Sequence, residues 1–141
     1  LLAQGREDVA LIRPLVQDAL IRRTDIDWRP RAGRLALLLT RLRHEVPLPP
    51  TRISSLWLMR GVVRVAARGF AGVDDTLPLV LLSVSVVPGR DPDDPAATVM
   101  LHFASGDAAP RDLKVVVEAI DWSLEDVSEP WPAQATPDHD A

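Results

Sequence analysis

From Ile21 to Val117 the apolar side chains tend to recur at every second position, in short runs separated by proline, glycine and acidic clusters. A period of two sends alternate residues to opposite faces, so such runs fold as strands with one buried face. Short connections then oblige successive strands to run antiparallel, because a parallel neighbour needs a crossover of a dozen or more residues. The runs cover residues 21–28, 34–45, 53–68, 79–87, 98–104 and 112–118. In the second, Leu35, Leu37 and Leu39 share a face that Arg41, Arg43 and Glu45 continue. The turn Arg29-Pro30-Arg31-Ala32-Gly33 folds it back on the first as a hairpin. The third run also fits a helix, since Arg60, Arg64 and Arg68 fall at four-residue spacing. Its β-branched stretch Val62-Val63-Arg64-Val65 favours a strand, broken or bulged at Gly61.

The two ends read differently. Val9, Ile12, Val16 and Leu20 recur at helical spacing over residues 6–20, with Glu7 and Asp8 in the first turn. Pro14 interrupts that stripe, and two short helices over about 7–12 and 14–20 relieve the conflict by making it a first-turn residue. Ile120, Leu124 and Val127 return to helical spacing after the last strand run. Residues 130–141 have no period and read as a loosely attached tail whose start Trp131 anchors. The expected fold is therefore α+β. It is a single domain over residues 1–129, with one curved antiparallel sheet of about six strands in a half-barrel and a helix at each end. That order is similar to the pleckstrin-homology-like layout, a likeness of topology that carries no function.

Composition narrows the chemistry. The 141 residues include no cysteine, which removes disulfides, thiolate metal sites and cysteine nucleophiles. No apolar run approaches the roughly 18 residues that span a bilayer, and residues 1–8 turn polar too early for a secretory signal, so a cytoplasmic protein without a membrane partner is expected. The net charge of −4 hides an asymmetry: residues 1–70 carry +7 and residues 71–141 carry −11. The plain explanation is that the halves are neighbours in one sheet and neutralise each other across strands. Fifteen arginines to one lysine suit bidentate pairing with carboxylates.

Catalytic signatures are sparse. No G-x-S-x-G elbow or phosphate-binding glycine loop occurs, and Ser54 and Ser55 have no histidine nearby in sequence. His44, His102 and His139 share no metal-ligand spacing, and Asp138-His139-Asp140 is a poor site on a tail. No cofactor is expected. The best constellation is Arg41-x-Arg43-x-Glu45 with Gln17 and Asp18 at the end of the first helix. Two guanidinium groups about 6.5–7 Å apart on a strand face can clamp an anion. The competing reading pairs Arg41 with Glu45 or Asp18 and ties helix to sheet. Arg60, Arg64 and Arg68 extend a possible basic face, but six aromatics and a pI near 5.3 argue against nucleic acid.

Glu7-Asp8, Gln17-Asp18-Ala19, Asp25, the strand from Arg34 to Glu45, Leu101-His102-Phe103-Ala104, Leu113-x-Val115-x-x-Glu118, Leu124-x-Asp126 and Pro130-Trp131 follow one another along nearly the whole chain. In this order they resemble the domain-of-unknown-function family 2948, found mostly in alphaproteobacteria. The resemblance implies a small bacterial protein with no established activity, cofactor or catalytic residue. The function expected is a non-catalytic binding or accessory domain whose partner is an acidic protein segment or a small anion. The alternative is a small enzyme using Asp25, Asp27 or His102 in a pocket. Homodimerisation through an exposed strand edge is a third possibility.

Overall fold

The computed structural model describes residues 1–43, 45, 49–106 and 109–133. His44, His139, Pro47, Leu48 and the tail from residue 134 onward lie outside the described residues. The expectation of an α+β fold with about six strands and two helices is overturned. The described residues are mostly β, with eleven strands in one antiparallel sheet and a single short α-helix among them. In chain order these are β1 (Leu2–Ala3), α1 (Val9–Val16), β2 (Leu20–Arg22), β3 (Ile26–Arg29), β4 (Arg34–Leu42), β5 (Thr51–Met59), β6 (Val62–Arg68), β7 (Pro78–Pro88), β8 (Ala97–Phe103), β9 (Arg111–Val117), β10 (Trp122–Asp126) and β11 (Trp131–Pro132).

Three corrections stand beside the division of the third run into β5 and β6 and the added short strands β1 and β11. The C-terminal helix is strand β10, held antiparallel to β5 on one side and to β1 on the other. Val127, needed for the helical stripe, is 52% exposed, while Trp122, Ser123 and Leu124 are buried. Two-sided pairing outweighs a weak helical period of so few residues. At the N-terminus one helix runs through Pro14 after a 3-10 turn over Arg6–Asp8, where two helices were expected. Its stripe of Val9, Ile12 and Val16 is buried, and that packing offsets the backbone hydrogen bond Pro14 cannot make. Finally, the first strand run is split by a 3-10 turn over Arg23–Asp25 into β2, which bridges β4 and β7, and β3, which pairs with β4 alone.

The sheet closes on itself. β5 passes into β6 through Arg60 and Gly61, and β9 into β10 through residues 118–121. β5 pairs with β10 and β6 with β9, so these are two long bent strands matched along both halves. The path β6-β9-β8-β7-β2-β4-β5 therefore returns to its start. The bend falls at Gly61, whose φ of 66° an L side chain rarely adopts. Only three residues of β2 bridge β4 and β7, and α1 contacts both.

Alternation does the rest. Leu35, Leu37, Leu39, Trp57, Met59, Leu81, Val99, Leu101 and Val115 point inward and are all but fully buried. Each such aliphatic side chain contributes about 1.5–3 kcal/mol by leaving water. Trp57 and Trp122 meet edge to face with ring centroids 5.2 Å apart. Trp131 pairs with Arg52 through β11, tying the end of the described chain to β5.

Candidate functional site

The strand end singled out by sequence is an internal clamp. Arg41 lies at the end of β4 with its side chain only 3% exposed. Its Nε donates to Ser55 Oγ at 3.0 Å, and Nη1 and Nη2 donate to the two Glu45 oxygens at 3.0 and 2.8 Å. Nη2 also donates to Asp126 Oδ1 at 3.0 Å, and Ser55 Oγ donates to the same oxygen at 2.7 Å. Burial works against the Arg41 cation, but the bonds to Glu45 and Asp126 outweigh it and hold its pKa above the usual arginine range. The Arg41 bond in turn holds the Glu45 carboxyl below the usual range, with Arg43 adding its charge. The fork geometry of a guanidinium is thus spent on the chain's own carboxylates.

Gln17 and Asp18 do not join this cluster. Both are exposed where α1 ends, and Asp18 takes a left-handed φ of 64° so that its N–H reaches Leu81 O on β7 at 2.7 Å. Aspartate tolerates that conformation better than most residues. Arg43 is half-buried, and its N–H donates to Thr51 O at 2.9 Å. Of the Arg41 partners, sequence reasoning found Glu45 and missed Ser55 and Asp126. Ser55 was sought as a histidine's partner, and Asp126 had been placed on a helix. The register Asp126↔Ser55 across β10 and β5 is what brings them together.

The alternative residues are not gathered either. Asp25 sits in the 3-10 turn and Asp27 on β3, where it pairs with Arg29 at 2.9 Å on an exposed face. His102 is on β8 and bonds to Asp112 and Ser85. Among the described residues no group of three or more His, Asp or Glu could hold a metal ion. Among the described residues no helix is long and apolar enough to cross a membrane.

A group of arginines collects elsewhere. Arg29 and Arg34 face each other across β3 and β4, next to Arg31 in the turn. Gly33 O accepts from Val62 N at 2.9 Å, which sets this hairpin tip against the start of β6. Arg31, Arg34 and Arg64 are exposed and have no carboxylate partner among the described residues. Beside them β6 pairs, among the described residues, with β9 alone, and Val63 on β6 is 60% exposed.

A family model described as a protein of unknown function, DUF2948, matches residues 1–139. The chain belongs to this family. No curated protein and no solved structure matches it. In this DUF2948 protein four ion pairs among the described residues join the two halves of opposite charge. Arg23–Asp75, Arg41–Asp126, Arg60–Asp121 and Arg68–Asp112 each join the basic half to the acidic half. Among the arginines without a carboxylate partner in the described residues, Arg31, Arg34 and Arg64 stand beside an open strand edge, a surface that can attract carboxylates and offer backbone N–H and C=O groups together.

Proposed function

We propose that this chain is a cytoplasmic binding domain that takes up an extended acidic protein segment along the outer edge of β6. The observation that carries the reading is the unpaired edge of β6 lying beside Arg31, Arg34 and Arg64, none of which has a carboxylate of its own among the described residues. An added strand gains main-chain hydrogen bonds from such an edge, and alternate side chains then meet the protein's charge. A second copy of this chain suits the edge less well. Pairing β6 with itself would bring Arg64 and Arg68 towards their own copies, and like charges set across a strand pair are destabilising. A small anion also fits less well, because these arginines are spread along the edge and the convergent cation, Arg41, is already saturated.

The test is fluorescence anisotropy with a labelled peptide of alternating glutamate and valine. The wild type binds it, and added salt weakens the binding, as expected of exposed charges. The triple variant Arg31→Glu/Arg34→Glu/Arg64→Glu binds at least about tenfold more weakly. Equal affinity of variant and wild type would overturn the reading. So would tighter binding of a single-stranded oligonucleotide than of the peptide.

A further inference from the structure

The outer face of β7, β8, β9 and β6 carries a row of polar side chains that the edge site does not use. Val99, Leu101 and Phe103 of β8 are buried, so strand alternation turns Met100 and His102 outward. Leu113, Val115 and Val117 of β9 do the same for Asp112 and Lys114. His102 Nδ1 lies 2.8 Å from Asp112 Oδ1, and His102 Nε2 lies 3.3 Å from Ser85 Oγ on β7. Arg68 on β6 donates through Nε to the second carboxylate oxygen, Asp112 Oδ2, at 3.1 Å. The register matches: His102 stands opposite Asp112, and Asp112 opposite Arg68.

The chemistry of the row follows from its hydrogen bonds. Asp112 is an acceptor only, so its bond requires the imidazole proton on Nδ1 and leaves the lone pair of Nε2 facing the Ser85 hydroxyl. Arg68 fixes the other carboxylate oxygen and so holds Asp112 ionised and in place. Asp112 is shielded, with 6% of its side chain exposed, whereas His102 is 39% exposed and open to a substrate. A serine bonded to one imidazole nitrogen and a carboxylate bonded to the other is the arrangement that activates a serine for acyl transfer, whatever fold presents it.

We propose that Ser85 is a nucleophile towards acyl esters, with His102 as its general base and Asp112 as the residue that positions His102. Ser85 Oγ forms a bond to the ester carbonyl carbon as its proton passes to His102 Nε2. The tetrahedral centre then collapses and breaks the bond to the alcohol oxygen, which leaves with the proton from His102. Water, giving up a proton to His102, attacks the acyl-Ser85 carbonyl, releases the carboxylic acid and restores the hydroxyl. The sum is ester plus water to acid plus alcohol. Register sets Ser85, Met100 and Lys114 in one line across three strands, which gives the acyl chain an apolar rest and the developing oxyanion a cation within side-chain reach.

The probes are p-nitrophenyl acetate and a fluorophosphonate, applied to the whole chain. Wild type releases nitrophenolate faster than Ser85→Ala, and the fluorophosphonate marks Ser85 and leaves Ser83, two residues away, unmarked. His102→Asn, a change on the surface, slows the labelling of Ser85 about a hundredfold. Asp112→Asn lowers kcat and leaves KM unchanged, a split that mere loosening of the sheet does not give. Ser85→Ala hydrolysing as fast as wild type, or labelling of Ser85 indifferent to His102, would overturn the assignment. Because the edge of β6 plays no part in these steps, the result is independent of peptide binding.

Discussion

Arg68 and Asp112 show how one residue pair couples sequence halves, stability and pH. The bond from Arg68, assisted by His102 against the cost of burial, holds the Asp112 carboxyl below the usual aspartate range. Glu45 is held low in the same way by Arg41. In acid the folded chain therefore binds fewer protons at these sites than the unfolded chain, whose carboxyls titrate near about 3.9 and 4.3. Their stabilisation is complete above that range and disappears as pH falls through the lower folded values. Urea unfolding midpoints are expected to hold near neutrality and to drop below about pH 4. Arg68→Ala lowers the midpoint at pH 6, and its deficit relative to wild type shrinks towards pH 3. A deficit that stays constant across that range would mean that Arg68 does not act through Asp112. The Arg68–Asp112 pairing was not legible in sequence, because register decides it, whereas Arg41–Glu45, four residues apart at one strand end, was.

At the scale of elements, glycines mark where strands change direction, and two of them separate conformational from steric cost. Gly61 has a φ of 66° with nothing within 4 Å of an added Cβ, so Gly61→Ala pays for the backbone alone, about 1 kcal/mol. Gly69 has a φ of 83°, and an added Cβ there meets the backbone of Pro110 and lies 2.9 Å from Arg111 Cα. Gly69→Ala is expected to cost about 3 kcal/mol or more, since packed backbone cannot yield. Chemical denaturation of the two variants measures the difference, and equal costs would show that the β6–β9 contact gives way easily. The break at Gly61 was legible in sequence, because a glycine inside an otherwise strand-forming run marks a bend or bulge. The β10 strand was not, since three apolar residues at helical spacing also fit alternation when Trp122 and Leu124 are read together.

For the whole molecule, closure distributes protection unevenly. β8 is paired on both sides, by β7 and β9, and its inward side chains are buried. β6 is paired on one side only. Amide hydrogen exchange should be slowest along β8 and fastest, among the strands of the barrel wall, along the open side of β6. Addition of the acidic peptide should slow exchange in β6 while leaving β8 unchanged. Protection gained in β3 instead would move the peptide to another edge. The exposed ion pairs contribute little individually, about 0–1 kcal/mol each.

Sequence alone determined most strands of the barrel wall: β4, β7, β8 and β9 follow from alternating apolar residues interrupted by proline and glycine, because period and punctuation are local properties, while the run of β5 and β6 also fitted a helix. It also made pairing between the oppositely charged halves the plain expectation, and four such ion pairs form. Tertiary structure decided the rest. Pairing partners turned a short apolar run into β10 and packing carried α1 through Pro14. The same contacts saturated Arg41 with Ser55, Glu45 and Asp126, and lined up Ser85, His102 and Asp112 from three strands. Those outcomes depend on which residues lie opposite one another across a closed sheet, and that distance is set by register and curvature, which no stretch of the chain encodes by itself.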